Sequence, residues 1–204
     1  VAAVADAPVV PINERTMEPI LWMLLGITTF VAALRAQRSQ QARMVARWAL
    51  GALFVLAGAV INAWYLLTDV DYAGFADASY IPFVRETWQS VVAPNQFLFI
   101  GLLVVFEAAV GALVVMGGRR TRVALVAMMG FHVALLSFGW FFYAWSLPML
   151  VALGLLLRAE VSSATTGANK QTDGNHGGVG AEQGPRDDRT SDPNVESRQD
   201  LRVD

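Results

Sequence analysis

Apolar residues in this chain gather into four long runs, 19–34, 48–67, 97–116 and 123–157, and the polar residues collect between them and at the two ends. The third run (FLFIGLLVVFEAAVGALVVM) has the roughly 20 residues a helix needs to cross the hydrocarbon core of a bilayer. The fourth is too long for one crossing: at 1.5 Å per residue it would extend about 52 Å against a core of about 30 Å. Gly139, followed by Trp140, Phe141, Phe142, Tyr143 and Trp145, predicts a tight hairpin at headgroup level, where tryptophan and tyrosine concentrate. Pro148 then falls near the start of a fifth helix. The pattern predicts an all-α transmembrane helical bundle of about five spans within residues 17–157, preceded by a polar segment 1–16.

Charge orients the spans. Arg35, Arg38, Arg43 and Arg47 fill the first predicted loop and Arg119, Arg120 and Arg122 the third, whereas the long second loop, 68–96, has Arg85 as its one basic residue against Asp69, Asp71, Asp77 and Glu86. By the positive-inside rule the first and third loops are cytoplasmic and the second is outside. With five spans the N-terminus lies outside and the segment from Arg158 inside; with four, that segment would lie outside. The N-terminal run has no basic segment ahead of it, so it reads as a reverse anchor and not as a cleavable signal. Met17 is an alternative start.

Residues 158–204 are dominated by Gly, Ser, Thr, Asn, Asp and Gln and carry more acidic than basic side chains. Such a segment buries too little apolar surface to offset the entropy of ordering it, which predicts a disordered cytoplasmic tail. Its acidity disfavours a polybasic lipid-binding tail and a nucleic-acid partner. The chain has no cysteine, which excludes iron–sulfur ligation, c-type haem attachment and dithiol chemistry within it. Of the two histidines, His176 lies in the predicted tail, so one copy cannot supply both axial ligands of a membrane haem. No metal site is predicted, and no phosphate loop, nucleophile elbow, HExxH or EF-hand pattern occurs.

Glu107, midway along the third run, is the candidate for chemistry. A carboxylate at the bilayer midplane costs roughly 2.5 to 3.5 kcal/mol on insertion scales, so such groups face a protein interior, find a partner or lie on a proton or ligand path. In the second run Gly51, Gly58 and Asn62 fall near one helical face, and in the third Gly101, Ala108, Gly111 and Ala112 supply small residues. Gly51, Gly58, Gly101 and Gly111 are the predicted positions of close helix packing. His132 should lie at a depth similar to that of Glu107, on a helix made its antiparallel neighbour by the turn at 117–122. Glu107, His132 and Asn62 thus form a candidate intramembrane polar site, which relays a proton, holds a quinone-like head group or merely locks helices together. In the second loop Tyr72, Phe75, Tyr80, Phe83 and Trp88 alternate with Asp77, Arg85 and Glu86, and 82–92 suits an amphipathic helix. That segment caps the bundle or lies on the membrane surface; as a lid, it would make Asp77, Arg85 and Glu86 an outward-facing site. Trp48, Trp64, Trp140 and Trp145 fit an aromatic belt at the span ends.

The arrangement RWALGALFVLAG (47–58), a long loop containing PFV, and then FEAAVGALVVMGGRRTR (106–122) resembles the DoxX-like family of small bacterial membrane proteins. The family pattern would fall on Arg47, Gly51, Gly58, Glu107, Gly111, Gly117 and Arg122, and the resemblance covers about 43–157. It implies a four-helix membrane core, with the first span and the tail as additions. Named members include a subunit of a thiosulfate:quinone oxidoreductase, and others are linked to oxidative-stress complexes. The implied function is that of a subunit or accessory factor of a quinone-linked redox complex in the bacterial cytoplasmic membrane, not catalytic alone. Its cofactor set is open except for a quinone as candidate ligand. Nothing marks a thiosulfate site. A small-solute or proton carrier using Glu107, His132 and Asn62, acting as a homo-oligomer, is the alternative, and a structural assembly factor is another.

Overall fold

The computed structural model describes the backbone of residues 12–176 and the side chains of 19–163. Among the described residues there is no strand, and five helices carry the chain: α1 (Ile12–Arg35), α2 (Gln40–Leu67), α3 (Pro82–Val115), α4 (Gly118–Phe138) and α5 (Trp140–His176). Four of them, α2, α3, α4 and the Trp140–Ser163 part of α5, are long and apolar enough to cross a membrane, and α1 adds the shorter apolar stretch Pro19–Arg35. The chain is a multi-pass integral membrane protein. The packing below belongs to the unit Val1–Thr166; Gly167–Asp204 is a separate unit, described only as far as the end of α5. The expected disordered tail therefore begins on helical residues, 158–176, and the rest of it, like most of the polar N-terminal segment, lies outside the described residues.

Local chemistry sets most helix ends. Ser39 caps α2, its hydroxyl accepting the Ala42 N–H at 3.2 Å, one of the donors that no helical carbonyl reaches. The first loop is therefore short, and Arg43 and Arg47, expected in it, belong to the first turns of α2. Pro82 opens α3 at a position where its missing N–H costs nothing. From there the helix runs on through a π-wound stretch, Trp88–Val92, and a 3₁₀ turn at Ala93–Asn95, where Pro94 cannot donate. The expected loop 68–96 is thus shortened from its far side. Its amphipathic stretch is the leading end of the third span, and only residues 68–81 connect α2 to it. The hairpin at Gly139 forms as expected: α4 ends in a 3₁₀ turn, and Gly139 takes φ 123°, a conformation that side chains disfavour. Because α5 starts directly after this glycine, Pro148 lies well inside the helix and not near its start.

The core lies between α2 and its neighbours. Leu50, Leu53 and Phe54 of α2 are buried with Val110 and Val114 of α3, Leu125 and Met128 of α4, and Met149, Leu153 and Leu156 of α5, with Ala32 of α1 and Ala36 of the turn after it closing one side. Large apolar side chains such as Leu24 and Ile27 on α1, Leu102 and Val105 on α3 and Val126 on α4 point outward, the faces a bilayer would cover. At the crossing of α2 and α3 the backbones touch: a Cβ on Gly51 would lie 3.0 Å from the Gly111 carbonyl, and one on Gly111 would lie 3.1 Å from the Gly51 carbonyl. Gly101 takes no part in such packing, since a Cβ there would meet no atom within 4 Å.

The two ends of the bundle are tied differently. At the arginine end, Arg47 Nε donates to the Val114 carbonyl at 3.0 Å and its Nη2 to that of Val115, while Thr121 Oγ1 donates to Val114 at 2.8 Å. These carbonyls close α3, where the helix dipole is negative and no helical N–H is left to bond them. Arg43 Nη1 reaches the Ala159 carbonyl at 3.3 Å and Gln37 Nε2 that of Leu155 at 3.2 Å, so α5 is held at the same end. At the loop end, Phe75 stacks on Trp88 at 4.9 Å and meets Phe138 and Phe142 edge-on or tilted at 5.1 and 5.4 Å. Ser79 Oγ donates to the Ser137 carbonyl at 2.6 Å. The connection 68–81 is thereby fastened over the turn between α4 and α5.

Candidate functional site

Glu107 projects from the middle of α3 toward α2 and is 4% exposed. Gly58 makes this direction available: a Cβ there would lie 2.8 Å from the carboxyl carbon and from Oε1, inside contact distance. One turn further along α2, Asn62 Nδ2 donates to Glu107 Oε2 at 2.9 Å. The Asn62 carbonyl oxygen in turn accepts the Tyr72 hydroxyl at 3.2 Å. Tyr72 is a buried residue of the connecting loop, and its backbone is fixed at both polar atoms. Trp88 Nε1 donates to its carbonyl at 2.7 Å, and its N–H donates to Gln96 Oε1 at 3.4 Å.

The order of donors is informative. A phenol donating to the amide oxygen leaves the amide nitrogen facing the carboxyl, so Tyr72 sets the orientation of Asn62 and Asn62 sets that of Glu107. The π-wound stretch Leu53–Val60 of α2 ends just before Asn62 and contains Gly58, and such widened turns re-aim the side chains around them. The result is a carboxyl group held in a defined pose inside an apolar bundle, able to bind a proton or to accept a hydrogen bond from a ligand.

His132 does not join this group. α3 and α4 pack as neighbours, but His132 turns toward α5, where Nδ1 lies 3.3 Å from Ser146 Oγ. Its ring is 2% exposed and is met edge-on by Phe54 at 6.1 Å and by Phe131 at 5.8 Å. No hydrogen bond or ion pair connects it to Glu107. The reason lies in the small residues: the space for an acidic side chain is opened by Gly58 on α2, and the side of the crossing toward α4 is filled by Phe54, Phe106 and Phe131.

Asp77, Arg85 and Glu86 are all exposed, and no ion pair joins them among the described residues. Asp77 Oδ1 accepts only a 3.4 Å hydrogen bond from Gln89 Nε2. The side chains that the loop buries are Tyr72, Ala76 and Ser79. Of the candidate group Glu107, His132 and Asn62, the structure joins Asn62 and Glu107 and sets His132 apart, and Gly58, expected as a packing position, is what opens space for the carboxyl. Reading the sequence missed the part played by Tyr72, which carries no periodic signal in a loop rich in aromatics, and that of Ser146, whose one signal is a hydroxyl inside an apolar run. Among the described residues no three His, Cys, Asp or Glu side chains gather as a metal site would require.

Compared with known proteins, the chain matches no family model, no curated protein and no solved structure.

Proposed function

We propose that this integral membrane protein is a DoxX-like subunit or accessory factor of a quinone-linked redox complex, without catalysis of its own. In this reading Glu107 is the group that meets the proton or the ligand head group. The observation that carries the reading is the oriented carboxyl itself. A midspan acid is costly in a membrane, and here it is held by an amide that a phenol holds in turn, an arrangement more specific than helix packing needs. The bacterial cytoplasmic membrane is the proposed location, with the arginine end inside and the loop end outside.

Mass spectrometry of the gently solubilised native protein tests this directly. The expected result is a reproducible redox partner subunit or a bound quinone, lost or weakened in Glu107→Gln while the fold is kept. A clean homo-oligomer carrying neither would overturn the redox reading.

A second reading, a carrier for a proton or small solute, is favoured by one feature: the hydrogen-bonded chain runs from midspan to the loop end through Asn62 and Tyr72. Uptake by proteoliposomes that is abolished in Glu107→Gln would select it.

A further inference from the structure

The connection 68–81 is fastened to the bundle at one place and fills it at another. Its fasteners meet the turn between α4 and α5: Phe75 lies against Phe138 and Phe142 at 5.1 and 5.4 Å, and Ser79 Oγ donates to the Ser137 carbonyl at 2.6 Å. Beside them a Cβ on Gly139 would stand 2.5 Å from the Ala78 carbonyl oxygen, so the glycine that turns the chain also admits the loop. The filling is Tyr72. Its backbone N–H is held at the level of Gln96, which lies 11 residues before Glu107 in one α-helix, about 16 Å. From that level its buried side chain descends to Asn62 and ends one amide short of the Glu107 carboxyl.

We propose that residues 68–81 are a lid over Glu107, with Tyr72 as its plug and the turn at 137–139 as its catch. Closed, the lid isolates the carboxyl; open, it connects Glu107 to water and protons at the loop end. The proposal rests on the reading of Glu107 as the group that meets a proton or ligand. The fasteners suit a part that lifts: they are ring contacts and single hydrogen bonds, and no ion pair holds the segment among the described residues. The hinge side is strained. Asp69, just past the end of α2, has φ 51° and is the one non-glycine with a positive φ among the described residues, a conformation that side chains disfavour and that relaxes when a segment moves. The helices need not follow, because α2 and α3 stay joined at the Gly51–Gly111 crossing and by Arg47 at the opposite end. Lifting the segment withdraws the phenol ring and leaves a column of its width leading down to Asn62 and the carboxyl.

The chain has no cysteine, so Glu107→Cys places a single thiol at the bottom of this column. The test is the rate at which a charged, water-soluble methanethiosulfonate labels that thiol in the full chain held in bilayer nanodiscs, with unfolded protein as the control for reactivity. Slow labelling is expected behind the closed lid, since the reagent needs an exposed thiol and must wait for a local opening. Adding Ser79→Ala should speed it roughly fivefold, the equivalent of one neutral hydrogen bond, and Phe75→Leu roughly two- to tenfold for each ring contact weakened. Arg47→Gln, which loosens the opposite end, should leave the rate unchanged. Fast labelling before any fastener is removed overturns the proposal, as do equal rates with and without Ser79→Ala and Phe75→Leu. An acceleration by Arg47→Gln that matches theirs also overturns it, because it would mark general loosening of the bundle. The measurement needs no carboxyl at position 107, so the lid can fail while the role of Glu107 stands, and the reverse.

Discussion

Gly58→Ala is the substitution that questions the site most directly. The new Cβ would stand 2.8 Å from the Glu107 carboxyl carbon and from Oε1, and 3.1 Å from Oε2. Carbon contacts settle at about 3.5 to 4.0 Å, so the carboxyl must retreat by roughly 0.7 Å or more, and its 2.9 Å bond to Asn62 is lost or badly stretched. A hydrogen bond to a buried carboxyl contributes about 1.5 to 3 kcal/mol, while exchanging glycine for alanine inside a helix returns about 1 kcal/mol. The net expectation is a loss of about 0.5 to 2 kcal/mol. In a Glu107→Ala background the obstructing group is gone, and the same substitution should stabilise by up to about 1 kcal/mol, reversing its sign. The two backgrounds should therefore differ by about 1.5 to 3 kcal/mol, beyond the additivity of independent sites. Reversible unfolding by dodecyl sulfate in mixed micelles, followed by far-ultraviolet circular dichroism, gives all four free energies of the cycle. An equal effect of Gly58→Ala in both backgrounds, within about 0.5 kcal/mol, would refute the claim that Gly58 exists to admit the carboxyl.

Two further outcomes can be read from the same titration. Arg47→Gln should cost about 1 to 3 kcal/mol, because it strips the Val115 carbonyl of its side-chain donor and leaves that of Val114 with Thr121 alone, whereas Glu160→Gln, which removes only a 3.9 Å ion pair with Arg47, should cost under about 1 kcal/mol; equal losses would make the pair, and not the cap, the source of stability. Gly111→Ala should destabilise by about 1 to 3 kcal/mol, since its Cβ meets Val55 Cγ2 at 2.6 Å and the Gly51 carbonyl at 3.1 Å, while Gly101→Ala, with open space around it, should stabilise slightly; matching signs would contradict the packing described.

The helical spans were readable because length and continuous apolarity alone make a span, and the break at Gly139 because an unusual backbone angle needed glycine where the run grew too long. Rotation about the helix axis was not. α3 is apolar on nearly every side, so its sequence holds no record of which face turns inward, and His132 was as plausible a neighbour for Glu107 as Asn62. The missing information sat on another helix, in the space left by Gly58. Helix ends bearing arginine were misplaced into a loop for a related reason: Arg43 and Arg47 look solvated in sequence, yet their long side chains reach back to carbonyls of α5 and α3. The segment 82–92 was read as amphipathic, and that character was real, but nothing in it announced that the helix would pass Pro94 and continue into the span.

The ties at the arginine end have a bearing on biogenesis. Arg43 and the carbonyl it bonds are separated by 116 positions in sequence, and Gln37 and its carbonyl by 118. A chain made from its N-terminus must therefore deliver α2 to the membrane well before either acceptor has been synthesised. Until α5 arrives, these side chains have only headgroups and water to bond, which suits an arginine that can snorkel to the interface. α5 is thus the helix that closes this end, and a ribosome stalled before Leu155 would leave a bundle that spans the bilayer with its latch still undone.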